Sequence, residues 1–152
     1  ILVGMSQLSR KVVFPVHPRT RDSLEKLGLK IPDNVKIVDP VPYFELLGLI
    51  LHSDFVITDS GGLQKEAYFL QKRCLIAREE TEWIELLEMG VARLTKPSQF
   101  VEYEEWAASP IEGSSGTEAG SIGGGFGDGR AGAKIVEVLA SEAINRMETQ
   151  SE

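Results

Sequence analysis

Cysteine and histidine are scarce in this sequence. Cys74 is the only cysteine among 152 residues, which excludes an internal disulfide framework and a cysteine-rich metal site. It lies in an apolar run, which favours a core position over a reactive one. The two histidines, His17 and His52, are far apart, and no cluster of metal ligands surrounds either. We therefore expect no metal site.

Basic clusters and long apolar runs are also missing. The formal charge is −7, no run of Lys or Arg exceeds two residues, and aromatic residues make up 7% of the chain. A surface that tracks nucleic-acid phosphates is therefore not expected. No apolar run approaches the roughly 20 residues that span a bilayer, and the N-terminus lacks the pattern of a signal peptide. These absences predict a cytoplasmic protein without nucleic-acid or membrane partners.

The length and the hydrophobic content of 42% predict a single domain, residues 1–152, with a substantial core. The first residue is Ile1 rather than Met, and ILVGMSQLSRK is typical of the closing turns of a helix. We therefore expect the sequence to be a piece of a longer protein.

Short apolar runs alternate with segments at helical spacing. The runs predict strands at residues 12–16, 35–39, 54–59, 73–77 and 92–95. The intervening segments predict helices at residues 19–28, 42–53, 60–70 and 82–90, with Gly28 ending the first and Pro42 at the first position of the second. Near-continuous apolar strands, each followed by a helix, indicate an α/β fold with a doubly wound, Rossmann-like parallel sheet. Ligands of such sheets bind beyond the carboxyl ends of the strands.

The pattern changes after Pro97. EYEEW is acidic and aromatic and gives no clear element, and residues 112–129 contain eight glycines and few apolar residues. Such a composition buries too little to offset its ordering entropy, so we expect a flexible Gly/Ser-rich loop at residues 112–125. A helical pattern resumes at residues 130–147, with Asp128 as its candidate N-cap.

The segment TDSGGLQKE, which follows the third strand, is the strongest candidate site. If the helix begins near Ser60, its free N–H groups point toward the ligand edge, and Gly61 and Gly62 let an anion approach the backbone. A plain helix cap at Asp59 or Ser60 with a tight glycine turn explains the same residues. Glu66 lies one turn further on the same face, where its carboxylate could accept hydrogen bonds from a ribose diol. Together they suggest a nucleotide site; the alternative for Glu66 is an ordinary solvated helix residue.

Other strand ends offer weaker candidates. His17 follows the first strand and is either a phosphate donor, an acid/base group or a structural residue beside Pro18. Arg78 follows the fourth strand and could clamp an anion. The acids Glu80, Glu82 and Glu85 are more simply explained as favourable charges at the start of a helix.

Several segments in order resemble one family. FPVHPRT, PYFELLGLI, FVITDSGGLQKEA, AREETEW and GFGDGRAGAKIVEVL are similar to the C-terminal half of the non-hydrolysing UDP-N-acetylglucosamine 2-epimerases. Two departures stand out: LQKRCL replaces the usual L-G-K-P, and GGFGDG replaces N-P-[FY]-G-D-G.

The resemblance implies a glycosyltransferase-B-type enzyme with two Rossmann-like domains. Such enzymes interconvert UDP-N-acetylglucosamine and UDP-N-acetylmannosamine by eliminating UDP and adding it back, without NAD or an essential metal, in surface polysaccharide synthesis. The catalytic carboxylates are implied to lie in an N-terminal domain, so none is expected among residues 1–152. The family's other implied properties are a homodimer and binding of UDP and UDP-N-acetylhexosamines.

The resemblance also assigns residues to the nucleotide. Ser60 and Gly61 would hold the diphosphate, and Glu66 the ribose hydroxyls. The segment with Tyr43, Phe44 and Leu46 would border uracil. With His17 and Arg78 added, the expected nucleotide-binding residues are His17, Tyr43, Phe44, Leu46, Ser60, Gly61, Gly62, Glu66 and Arg78. The alternatives are a hydrolysing epimerase, another glycosyltransferase-B-type glycosyltransferase and a non-catalytic UDP-sugar sensor.

Overall fold

The computed structural model describes residues 1–111 and 126–149, with side chains up to residue 141 in the last helix. The chain divides into two compact units, Ile1–Ser121 and Ile122–Glu152. The expected flexible loop at residues 112–125 lies outside the described residues. None of the helices described is long and apolar enough to cross a bilayer.

Strands and helices alternate in the described part of the first unit. The strands are β1 (Val12–Pro15), β2 (Val35–Val38), β3 (Val56–Thr58), β4 (Cys74–Ile76) and β5 (Ala92–Leu94). The helices are α1 (Leu2–Ser6), α2 (Pro18–Lys26), α3 (Tyr43–Leu51), α4 (Gly61–Phe69), α5 (Ile84–Glu88) and α6 (Phe100–Ala108), the last preceded by a 3₁₀ turn, Pro97–Gln99. In the second unit, α7 covers Ala131–Thr149.

Every strand pair described is parallel, as the apolar runs predict. The strands hydrogen-bond in two groups, β1 with β2 and β3–β4–β5, with Val12 opposite Val35 and Cys74 opposite both Val56 and Ala92. Each neighbouring pair is joined through a helix, which parallel strands require. The carboxyl ends of β3, β4 and β5 therefore face the same edge.

One apolar core joins the two groups of strands. Val35 of β2, Leu75 of β4 and Phe100 and Ala107 of α6 belong to the same buried cluster, together with Met5 of α1. Helix α6 was not predicted, because its acidic residues hide the pair Phe100 and Ala107, which are seven residues apart and face one side of the helix.

Glu104 is a buried acid on the same helix. Its carboxylate accepts hydrogen bonds from the Ser9 N–H (3.0 Å to each oxygen), the Ser9 hydroxyl (2.9 Å) and the Arg10 N–H (3.2 Å), and it pairs with the Arg10 guanidinium (3.2 Å). Burial opposes ionisation, but the hydrogen bonds from Ser9 and Arg10 outweigh it, so the pKa of Glu104 lies below its ordinary value. The charged carboxylate thus fixes α6 to the chain entering β1.

Two other predicted helix boundaries need correction. Pro42 is the N-cap of α3 rather than its first residue, so its missing N–H lies just outside the helix. Asp128 is not the N-cap of α7, which begins at Ala131. Its carboxylate instead accepts the N–H of Arg130 (3.0 Å) in a turn before the helix.

Candidate nucleotide-binding site

The chain passes from β3 to α4 through an uncapped turn. Ser60 is the N-cap residue of α4, but its side chain makes no capping hydrogen bond. Its own N–H donates to the hydroxyl of Thr58 (3.0 Å), a buried residue at the end of β3, and this hydrogen bond fixes the turn to the strand. The plain-cap explanation therefore fails for Ser60, whose hydroxyl does not cap the helix end, an end that favours anions.

Side chains lie close to both glycines of this turn. A Cβ atom placed on Gly62 would lie 3.9 Å from both Glu66 Oε2 and Ser60 Oγ. A Cβ atom on Gly61 would lie 3.2 Å from Glu82 Oε2. The structure thus brings together Ser60, Gly62 and Glu66, the residues that the sequence assigned to one site.

The Glu66 carboxylate carries an unsatisfied oxygen. Oε2 is buried and has no hydrogen-bond partner. Leaving a buried polar group unpaired costs about 1 to 3 kcal/mol, and more for a charged one. An acceptor kept in this condition beside an open helix N-terminus is suited to a hydroxyl donor from a ligand.

A hydrogen-bond network behind the turn was missed from the sequence. The side chain of Gln64 is fully buried; its amide donates to the Ser60 carbonyl (3.3 Å), and its oxygen accepts from the Thr81 hydroxyl (2.6 Å). The Thr81 hydroxyl in turn accepts the Trp83 N–H (3.1 Å), and the Trp83 indole donates to the Gly61 carbonyl (2.8 Å). The segment after β4 therefore holds the first turn of α4 in place.

Arg78 and Glu82 form an ion pair, and the Glu82 carboxylate lies against Gly61 at the start of α4. Arg78 donates from Nη1 and Nη2 to the two carboxylate oxygens, at 3.1 and 2.9 Å. The hydrogen bonds and charge of Glu82 raise the pKa of Arg78, and the hydrogen bond from Arg78 lowers the pKa of Glu82. The expected role of Glu82 as a helix-start charge is wrong, because α5 begins only at Ile84 and Glu82 pairs with Arg78 instead. Glu85 does lie in the first turn of α5, as expected.

His17 has a capping role. It is the N-cap of α2, and its Nδ1 accepts the N–H of Arg19 (3.3 Å). The neighbouring Arg21 pairs with Asp39 at the end of β2 (2.8 Å). The structural alternative for His17 thus has direct support, and its ring is exposed at the carboxyl end of β1.

The residues expected to border uracil lie in the first turn of α3. Tyr43 and Phe44 are 55% and 82% exposed, and their rings meet edge to face with centroids 5.7 Å apart. Leu46, in the same turn, is partly buried. Large aromatic rings left this open are suited to contact with a planar ligand.

The family profile described as UDP-N-acetylglucosamine 2-epimerase matches residues 1–140. The chain belongs to this family. This assignment confirms the resemblance drawn from the sequence motifs.

Curated relatives of the epimerase family share this segment. The UDP-2,3-diacetamido-2,3-dideoxy-D-glucuronate 2-epimerase of Pseudomonas aeruginosa is 42% identical over 129 residues, which cover 85% of this chain and 34% of that protein. A UDP-N-acetylglucosamine 2-epimerase homolog of Methanococcus maripaludis is 39% identical over 143 residues, or 91% of this chain and 38% of that protein. The chain thus spans little more than a third of the length of these epimerases.

Solved structures agree with the assignment. The UDP-GlcNAc 2-epimerase from Methanocaldococcus jannaschii matches with a TM-score of 0.68 at 29% identity, covering 92% of this chain and 40% of that one. A structure of that enzyme in complex with UDP-GlcNAc and UDP matches with a TM-score of 0.67 at 30% identity, covering 86% and 36%. These similarities confirm the predicted Rossmann-like α/β class of glycosyltransferase-B-type epimerases.

Proposed function

We propose that this chain is the nucleotide-binding part of an enzyme that interconverts UDP-N-acetylglucosamine and UDP-N-acetylmannosamine. The observation that carries the proposal is the buried, unpartnered Glu66 Oε2 beside the uncapped start of α4. The helix start suits the diphosphate of a nucleoside diphosphate, and the unsatisfied acceptor one helical turn away suits its ribose hydroxyls.

The diphosphate would bind at the first turn of α4. The free N–H groups after Ser60 and the helix dipole favour its negative charge, and the hydroxyl of Ser60 adds a donor. The guanidinium of Arg78 supplies a permanent positive charge from the end of β4. Gly61 and Gly62 add no side chain of their own between the ligand and the backbone.

The ribose would then bind at Glu66. A carboxylate offers only acceptors, and a ribose diol offers two hydroxyl donors, so binding satisfies the oxygen that is otherwise unpaired. The uracil ring would contact Tyr43, Phe44 and Leu46, and His17 would remain at the nearby strand edge. These assignments give a ligand contact to each site residue expected from the sequence except His17, which caps α2.

In this division of labour, the chain holds UDP while it is the leaving group. The acid and base groups that remove and return the proton at C2 of the sugar belong to a domain outside residues 1–152. We infer from the same family pattern a cytoplasmic homodimer that supplies surface polysaccharide synthesis. The isolated chain should therefore bind UDP weakly and leave UDP-N-acetylglucosamine unchanged.

A second candidate substrate has specific support. The relative that is 42% identical is named for a diacetamido uronate linked to UDP rather than for UDP-N-acetylglucosamine. Both substrates present the same nucleotide to the same turn, so the described residues fit either. Assaying a longer form of the protein with both UDP-sugars distinguishes them, and release of free UDP during that assay would instead indicate a hydrolysing enzyme.

The Glu66→Gln variant tests the nucleotide site. We expect UDP binding, followed by NMR titration of the ¹⁵N-labelled chain, to weaken roughly tenfold through the loss of charged hydrogen bonds to ribose. Pyrophosphate, which has no ribose, should bind both proteins equally. Glu88→Gln, at an exposed position at the end of α5, is the matched control. Equal weakening of UDP and pyrophosphate would refute the ribose assignment.

A further inference from the structure

Glu82 lies where the proposed ligand would approach. Its Oε2 is 3.2 Å from the position of a Cβ atom on Gly61, and its Cδ is 3.8 Å from it. Its carboxylate is charged, since Arg78 holds the pKa of Glu82 below its ordinary value. The protein itself thus places an anion against the helix end that favours anions.

Taking the nucleotide site proposed above as given, we propose that Glu82 is an internal competitor of the diphosphate. Without ligand, its carboxylate lies over Gly61 and pairs with the Arg78 guanidinium. When UDP binds, the carboxylate turns away and Arg78 exchanges one anionic partner for another. Glu82 then determines affinity for the diphosphate without contacting it in the bound state.

The surroundings allow the side chain to move while the backbone stays in place. On one side, the Thr81 hydroxyl is bonded to the buried Gln64; on the other, the Trp83 indole is bonded to the Gly61 carbonyl. The Glu82 side chain between them is 56% exposed, and that of Arg78 is 29% exposed. Because the Glu82 side chain is more than half exposed, its carboxylate can return to solvent when a diphosphate takes its place beside Arg78.

This arrangement has a functional reason. If the α4 turn and Arg78 bound the diphosphate without competition, the nucleotide would dissociate slowly. A competing carboxylate of charge −1 lowers the affinity of the site for the diphosphate and so speeds its release. A permanent partner also keeps Arg78 in place when the site is empty, because its planar guanidinium already binds a carboxylate through both Nη atoms.

The Glu82→Gln variant tests the proposal, because it removes the charge and keeps the shape. We expect UDP and pyrophosphate to bind about fivefold more tightly, the size of one exposed charge interaction, and the gain to shrink as salt is added. The amide signals of Gly61 and Gly62 and the indole N–H signal of Trp83 report binding at the site itself. Glu85→Gln, which removes the same charge from the exposed first turn of α5, should bind as the unmodified chain does.

Three outcomes would overturn the inference. Unchanged affinity in Glu82→Gln means that the carboxylate does not compete. Weaker affinity means that Glu82 instead orients Arg78 for the ligand. If neither UDP nor pyrophosphate shifts the Gly61 and Gly62 signals in any variant, the nucleotide function fails and the inference fails with it.

Because pyrophosphate lacks ribose, tighter pyrophosphate binding supports the inference even if Glu66 proves not to bind UDP. A thermal midpoint equal to that of the unmodified chain confirms that the variants are folded.

Discussion

The buried carboxylate of Glu104 connects α6 to the start of β1, and the Glu104→Gln substitution isolates the contribution of its charge to stability. The side chain is 5% exposed and takes hydrogen bonds from Ser9 and Arg10, about 95 residues earlier in the chain. Glutamine has nearly the same shape, but it replaces one acceptor oxygen with an NH₂ donor. At least one N–H or O–H of Ser9 would then face another donor.

The expected loss follows from these contacts. Breaking a fully buried ion pair costs about 3 to 5 kcal/mol, because the remaining charge is left alone. Here Arg10 is 30% exposed and also pairs with Asp54 and Glu105, so it keeps other partners. The loss is therefore set by the charged hydrogen bonds of Glu104, and we expect the free energy of unfolding to fall by about 2 to 3 kcal/mol.

The assay is urea unfolding at a series of pH values, with Glu105→Gln as the control. Glu105 pairs with the same arginine, but its side chain is 85% exposed, so its loss should change stability by less than about 0.5 kcal/mol. The folded pKa of Glu104 is depressed, so its contribution is complete above the unfolded pKa of about 4.3 and disappears as the pH falls through the folded value. The difference between the unmodified chain and Glu104→Gln should therefore shrink in acid. A difference below about 0.5 kcal/mol at neutral pH, or one independent of pH, would refute this reasoning.

Two further predictions concern the two ends of the connection from α4 to β4. Gln71 has a φ of +59° at the C-terminal end of α4, where its N–H donates to the Tyr68 carbonyl (2.9 Å) and the N–H of Lys72 to the Ala67 carbonyl (2.8 Å). Glycine adopts this conformation without strain, so Gln71→Gly should raise the free energy of unfolding by about 1 kcal/mol. A loss of stability would contradict the strain assigned to this residue. Burial raises the pKa of Cys74 to about 12, so a thiol reagent at mildly alkaline pH should label it only as fast as the chain opens, and rapid labelling of the native chain would contradict its buried position.

The parts of the fold that the sequence predicts are those controlled by local pattern. Strands β3 and β4 are largely buried, whereas β1, β2 and β5 each expose one residue, at Val13, Lys36 and Arg93; the apolar residues around these positions still identify all five runs. The turn at Ser60 was likewise predictable, because the helix start, two glycines and an acid one turn later all lie within seven residues. Local spacing thus placed Ser60, Gly62 and Glu66 together.

The parts that escaped prediction depend on contacts between distant segments. The buried Glu104 is satisfied by Ser9 and Arg10, and without that knowledge an acidic segment such as EYEEW does not suggest a core helix. Gln64 and Thr81 are 17 residues apart and belong to different connections, so nothing local indicates their hydrogen bond. The pairing of Arg78 with Glu82 has the spacing of a helical ion pair, yet it forms outside any helix.

The residues that hydrogen-bond to the first turn of α4 lie at one edge of the sheet. Thr58 fixes the N–H of Ser60, Gln64 holds its carbonyl, and the Trp83 indole holds the carbonyl of Gly61. These residues come from the end of β3, from the start of α4 and from the segment that follows the adjacent parallel strand β4, where Trp83 is the N-cap residue of α5. Because the same sheet edge both presents the turn and fixes its geometry, we expect the proposed nucleotide site to be formed before any ligand arrives, and the proposed binding to displace the Glu82 side chain without a change of backbone.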